Sequence, residues 1–290
     1  MKIGLFGINM AQVDAPDTLL PLMKRVEEMG FESVWTGEHV MIPRDYASAY
    51  PFNTSGRIGV PPETHFIDPL IALSHVAAHT TTLRLGTGIN LLPQSNPLLF
   101  AKQVASLDHL SKGRILLGLG VGWLAEEFTA MGVPFAGRGR RFDDYLRAVK
   151  KVWSGVEFEH QSDYLNWSGF KSYPLPHAPS GPPIIIGGHS PAALRRTVAT
   201  GDGWFAFPKS HDELSGLLGQ LRDRTAAAGR EPATIEITAL WRDFADGMAS
   251  LETYREMGVH RLLVPLGLLA RGDLGDNLER LQETVASQSL

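Results

Sequence analysis

Eight apolar runs of strand character recur along the chain, each followed by a stretch of helical character. This rhythm limits the fold more than any other feature. The runs start at Lys2, Glu32, Leu83, Arg114, Pro183, Gly203, Thr234 and Arg261. Near-continuous apolar strands between amphipathic helices predict a parallel sheet covered on its outer face. Eight such repeats predict closure into a (β/α)8 TIM barrel, an α/β fold taking up residues 1–290 as one domain. In such a barrel the loops that follow the strands share one face. Residues remote in sequence then converge there: Glu38 and His39, Gly86-Thr87-Gly88, Gly120 to Trp123, and Gly187-Gly188.

The punctuation of the helices supports the same reading. Asp17, Asp68, Asn96 and Ser190 are expected as N-caps, the last three each directly before a proline. Gly30 is expected just past the end of the first helix. A helix is predicted from Arg140 to Trp153, and Asp276 is expected to open the closing helix. Two segments exceed ordinary connections. Residues 40–66 form a Pro-, Gly- and Tyr-rich excursion, and residues 154–182 form an insertion with a small hairpin around Asn166-Trp167-Ser168-Gly169. Loops of such length inside a compact domain are usually functional.

Composition removes several classes of function. A net charge of −4 gives no reason to expect nucleic acid or an anionic membrane surface as a partner. The absence of cysteine rules out disulfides, thiolate nucleophiles and Cys-ligated metals. It suits a reducing cytosol, so a cytoplasmic location is expected. No apolar run is long enough to span a bilayer, and no signal peptide is expected. There is no G-x-S-x-G nucleophile elbow and no phosphate-binding Walker loop. Gly118, Gly120 and Gly122 mimic a dinucleotide fingerprint but lie outside the opening βαβ unit, with the wrong spacing. His75 and His79 have the spacing that can grip zinc, but their helix is expected on the outside of the barrel and no protease-type Glu accompanies them. No metal is expected.

The remaining candidates all fall at strand ends. Gly187-Gly188-His189-Ser190 joins a strand to a helix N-terminus, where free amides and the helix dipole favour an anion. It reads equally as a tight turn with Ser190 as cap. Gly86-Thr87-Gly88-Ile89-Asn90 lets something flat approach the backbone, or permits a bulge. His39 can exchange a proton near neutral pH, and Glu38 stands beside it. Trp35 reads as core or as pocket wall. Glu126, Glu127, Arg138, Arg140 and Arg141 read as a solvated helix face or as ion pairs.

At these residues the chain resembles the luciferase-like monooxygenase superfamily, in particular the branch that uses the deazaflavin coenzyme F420. The resemblance rests on Val34-Trp35-Thr36-Gly37-Glu38-His39-Val40-Met41-Ile42-Pro43, Leu85-Gly86-Thr87-Gly88-Ile89, Asn96-Pro97 with Gln103 and Leu107-Asp108, and Gly113-Arg114. It continues through Gly118-Leu119-Gly120-Val121-Gly122-Trp123 with Glu126-Glu127-Phe128, Arg140-Arg141-Phe142, Trp153, Pro183 to Gly188, and Gly201-Asp202-Gly203-Trp204. It covers nearly the whole chain in order.

The resemblance implies a luciferase-like barrel with an isoalloxazine-like ring at the rim. It implies a non-prolyl cis peptide at Gly88-Ile89 or Ile89-Asn90 pressed against that ring, and a phosphate on Gly187-Gly188-His189. Trp35, Thr87, Gly88, Ile89, Asn90 and Trp123 would complete the cofactor site. His39 would be the proton donor or acceptor, with Glu38 tuning it. Trp123 departs from relatives that carry an acidic residue near this point; either Glu126 or Glu127 compensates, or that acid is not needed. The expected activity is hydride transfer between F420 and a small organic substrate. The alternatives are an FMN-dependent two-component monooxygenase of the same fold and a flavin-binding carrier without turnover. The resemblance also allows a homodimer.

Overall fold

In the computed structural model, which describes residues 1–10 and 15–286, the elements run β1 (Lys2–Phe6), α1 (Pro16–Glu28), β2 (Ser33–Thr36), α2 (Pro69–Ala77), β3 (Arg84–Thr87), β4 (Asn90–Leu91), α3 (Pro97–Leu110), β5 (Ile115–Gly120), α4 (Ala125–Ala130), α5 (Arg138–Val152), β6 (Phe158–Gln161), β7 (Asn166–Phe170), β8 (Ile184–Gly187), α6 (Pro191–Thr200), β9 (Gly203–Ala206), α7 (His211–Ala227), β10 (Glu236–Leu240), α8 (Gly247–Glu256), β11 (Arg261–Pro265), α9 (Leu266–Leu269) and α10 (Leu274–Ala286). Eight of the strands pair in parallel in the order β3-β2-β1-β11-β10-β9-β8-β5, and a β3–β5 pairing closes the ring. This is the expected (β/α)8 barrel, with each strand starting within two residues of its expected position. Among the described residues no helix is long and apolar enough to cross a membrane.

The caps show why the helices start where they do. Asp68 accepts from the amides of Leu70 and Ile71, Asn96 from those of Leu98 and Leu99, and Ser190 from that of Ala193. Asp17 does not cap: Ala15 holds the N-cap position of α1 and Asp17 lies inside the first turn, where an acid favours the helix dipole. The α10 helix opens at Leu274, two residues before Asp276. The hairpin in the 154–182 insertion also differs from expectation. Asn166 to Gly169 belong to its second strand, and the reversal lies upstream, where the Ser162 amide donates to Leu165 O.

Two apolar layers result. One lies between strands and helices and includes Leu5, Val34, Leu73, Val104, Leu146 and Leu194. The other fills the barrel: Trp35, Leu116, Ile185, Phe205, Phe207, Leu240 and Leu263, with Phe6, Phe52 and Ile89 packed on it. Glycines make room inside. A Cβ on Gly86 would stand 2.2 Å from the Trp35 indole, and one on Gly120 would stand 2.0 Å from Ile89 Cδ1. The Gly88–Ile89 peptide bond is cis, the first of the two positions the resemblance implied. Beyond it the Ile89 side chain lies over Gly120 and Gly187, and β4 continues along β5 with Asn90 opposite Leu119.

At the N-terminal end of the barrel the guanidinium of Arg261, fully buried, donates to both Glu32 oxygens at 2.8 and 2.7 Å, to Glu236 and to Thr238. Lys2 also pairs with Glu236. Within this cluster each charge has its counterpart.

Candidate active site

The C-terminal end of the barrel is built around the excursion that follows β2. Asn9, fully buried, fixes both ends of it. Its Nδ2 donates to Gly37 O at 2.9 Å and to Ile67 O at 2.6 Å, while its Oδ1 accepts from the Gly37 amide. Between those anchors the segment crosses the mouth as a strap. Tyr46 and Tyr50 stand edge-on to Trp123, Tyr50 leads to Phe52, and Phe52 stacks on Phe207 (5.2 Å, 30°) beside His189 (5.0 Å). The strap therefore runs from the end of β5 to the ends of β8 and β9.

Two adjacent carboxylates in the first turn of α4 hold the strap down. Glu126 Oε1 accepts from the amides of Ala47 and Ser48 at 2.7 and 3.2 Å. Glu127 Oε1 accepts from those of Val40 and Met41 at 2.7 and 3.2 Å. The bond to the Ser48 side chain, with further help from these amides, pulls the Glu126 carboxyl down to about 2 against the opposing effect of burial. For Glu127 burial is the largest influence and raises its pKa, but hydrogen bonds and charge from His39, with the two strap amides, outweigh it and leave it lowered. Glu127 is thus an ionised carboxylate inside the protein. Of the solvated face or ion pairs expected there, Arg140 is exposed, Glu127 (1% exposed) pairs with His39, and Arg141 (4% exposed) donates instead to the carbonyls of Pro93 and Pro134.

Glu127 Oε2 lies 3.1 Å from His39 Nδ1. A carboxylate only accepts, so Nδ1 carries a proton and donates it to Glu127, which leaves Nε2 as the other position of the ring. Nε2 has no protein partner among the described residues and is not sealed off. The ring is held edge-on between Phe66 (5.5 Å) and Trp123 (6.0 Å). Sequence reasoning assigned the tuning of His39 to Glu38. The structure gives that position to Glu127, 88 residues away. Glu38 turns toward β4, where the Leu91 amide donates to its Oε2.

The other expected residues separate into two groups. Trp35 has no exposed surface; it packs on Gly86 and its Nε1 donates to Ser33 Oγ at 2.9 Å. Thr87 is 1% exposed and donates to Gly118 O at 2.8 Å. Both are interior residues that support the strand ends rather than line the mouth. Gly88 and Gly187 are buried as well, covered by Phe6 with Phe205 and by Ile89 respectively. Asn90 is buried beside Glu38. Ile89, Trp123, Gly188 and His189 keep exposed surface on the mouth, as do Phe6 and Phe52.

His189 is less available than expected. Its Nε2 accepts from the Phe207 amide at 2.9 Å and its Nδ1 faces Glu213. Burial pushes its pKa down against the pull of Glu213, so the ring is neutral and both nitrogens are engaged. What it leaves for a ligand is its ring face and main chain. Gly188, at φ +112°, has only Ala193 Cβ near the position of an added Cβ; its carbonyl accepts from Trp204 Nε1 at 2.8 Å, which leaves the amide side of the turn beside the α6 N-terminus.

These residues fit a tricyclic redox ring with a phosphate tail. Phe6, Ile89 and Trp123 offer partly exposed apolar surface, the Gly188 turn offers an anion cradle, and the His39 ring lies beside Trp123. Phe52 lies over part of this surface, so such a ligand requires the strap to move aside.

A family model described as luciferase-like monooxygenase matches residues 2–242. An uncharacterised protein of Mycobacterium tuberculosis strain H37Rv is 32% identical over 92% of this chain and 90% of its own. An F420-dependent glucose-6-phosphate dehydrogenase of Kineococcus radiotolerans is 29% identical over 79% of this chain and 64% of its own. Among solved structures, an F420-dependent secondary alcohol dehydrogenase in complex with an F420–acetone adduct superposes with a TM-score of 0.76 at 16% identity, covering 98% of this chain and 97% of that one. The chain belongs to the luciferase-like monooxygenase family, and so to a family of enzymes.

Proposed function

We propose that the chain is an oxidoreductase that moves a hydride between coenzyme F420 and a small organic substrate bearing an alcohol, carbonyl, imine or activated double bond. The observation that carries this reading is the Glu127–His39 pair at the barrel mouth, with His39 Nε2 left for a ligand. The F420-dependent relative supports the choice of cofactor.

When bound, F420 supplies the carbon that accepts or gives the hydride. Ile89, Phe6 and Trp123 would bear on its ring, and Gly188 with the start of α6 would take its phosphate. His39 gives or takes the substrate proton at Nε2. Glu127, kept ionised, fixes the tautomer and stabilises the imidazolium when His39 carries both protons. The strap excludes water once it closes again.

FMN with oxygen chemistry is the second reading, favoured by the family description itself. Titrating the protein with F420 and with FMN separates the two. Micromolar or tighter F420 binding supports the first reading; tight FMN with negligible F420 binding overturns it.

A further inference from the structure

The strap is held unevenly along its length. Its first part is clamped. Glu127 takes the amides of Val40 and Met41, Glu126 takes those of Ala47 and Ser48, and Ser48 Oγ accepts from the Ala125 amide at 3.0 Å. Bonds to an ionised carboxylate are about twice as strong as neutral ones. From residue 49 to residue 64 the pattern changes, and the hydrogen bonds stay within the strap. The Tyr50 amide donates to Gly56 O, the Gly56 amide to Asn53 O, Arg57 to Tyr46 O, the Ile58 amide to the Tyr46 hydroxyl, and the Thr64 amide to Pro61 O. None of residues 49–64 is fully buried. This tip is a small body closed on itself, and rings tie it to the barrel: Tyr50 on Trp123, Phe52 on Phe207 and on His189.

Phe52 sits where a planar ligand has to lie. Its ring stands between His189, next to the Gly188 cradle, and Phe207, which meets Phe6 at 5.8 Å. Phe6, Phe52 and Ile89 pack on the same interior layer. A ring seated on Phe6 and Ile89, with its phosphate at Gly188, needs the surface that Phe52 covers.

We propose that Phe52 is a built-in competitor for the cofactor ring, carried on a tip, residues 49–64, that swings out as one piece while residues 37–48 stay clamped. The division keeps His39 in place when the mouth opens, because Glu127 holds its ring through Oε2 and the clamped amides through Oε1. Apparent affinity is then lowered in proportion to the share of molecules whose tip is closed. Until a ring arrives, Phe52 keeps the apolar floor of the mouth from water. The competition with a ring rests on the proposed function; the closed tip and its clamped base do not.

Stopped-flow mixing with F420, repeated with FMN should F420 not bind, compares the wild-type protein with Phe52→Ala. Association is expected to be about tenfold faster in Phe52→Ala, with tighter binding. Equal or slower association overturns the competition. The closed tip is tested without any ligand. The chain has no cysteine, so a thiol placed at Phe207 reports on the surface beneath Phe52. Phe207→Cys is expected to react with a soluble thiol reagent about tenfold more slowly than Phe207→Cys combined with Phe52→Ala; equal rates overturn the closed tip. Limited trypsin digestion of the wild-type protein tests the division of the strap and needs no variant to fold. Relative to the unfolded chain, cleavage after Arg57, in the tip, is expected well before cleavage after Arg44, in the clamped part; an equal or reversed order overturns the division. If neither ring binds either protein, the functional reading fails, and the thiol and trypsin results alone decide the tip.

Discussion

The two ends of the barrel handle buried charge in opposite ways. At the N-terminal end, Arg261, Glu32, Glu236, Lys2 and Thr238 match donor to acceptor. At the C-terminal mouth, acceptors exceed donors. Glu38 and Glu127 lie in each other's field, Asn90 Oδ1, Gln94 Oε1 and Glu126 Oε2 are buried without partners among the described residues, and His39 Nε2 is unpaired. The contrast is between these two clusters. The matched one joins the starts of β1, β2, β10 and β11, and the unmatched one lies where barrels of this kind carry their sites.

The largest expected effect breaks the matched end. Arg261→Ala leaves Glu32 without its ion-pair partner and Glu236 with Lys2 alone and should destabilise the fold by about 3–5 kcal/mol in urea unfolding. A loss below about 1 kcal/mol would remove the structural role assigned to that end. At the mouth the same kind of deletion should act on turnover. His39→Ala is expected to cut turnover about 10²–10⁴-fold with cofactor affinity changed far less; unchanged turnover removes its catalytic role.

The third effect is a pH dependence of stability in which the carboxyls of the mouth oppose one another. The folded-state pKa of Glu38 is raised, so its contribution is fully present below about 4.5 and is lost as pH rises through about 7. That loss amounts to at most about 3 kcal/mol. Glu126 is the reverse: its contribution is present above about 4.5 and is lost as pH falls toward about 2. Thermal melts from pH 4.5 to 7 should show Glu38→Gln gaining on the wild-type protein as pH rises; parallel curves would contradict the raised value. The smallest effect concerns the cradle. Gly188→Val introduces a branched side chain at φ +112° and should weaken cofactor binding about tenfold, roughly 1.4 kcal/mol. Equal affinity would move the phosphate elsewhere.

The barrel was legible because its strands are continuous apolar runs and three of its helices open on a capping residue followed by proline. The pairings within the site were not. Glu127 reaches His39 across 88 positions from α4, a six-residue helix too short to show a period. Glu126-Glu127 looks like any exposed acidic pair until the strap amides are placed above it. Asn9 gives no local sign that it joins Gly37 to Ile67. Whether Trp35 is core or pocket wall is set by Gly86 on the neighbouring strand, a relation between strands that no single segment reveals. The Glu38-His39 dipeptide invited a partnership, yet the two side chains turn apart, toward β4 and α4.

Equilibrium titration of the purified protein with F420, alongside Gly188→Val and His39→Ala, tests the central claim most directly. The account predicts saturable one-to-one binding, weakened by Gly188→Val and nearly unchanged by His39→Ala. No saturable binding of F420 or FMN at any concentration tested would contradict it, and would leave the mouth a closed end sealed by Phe52.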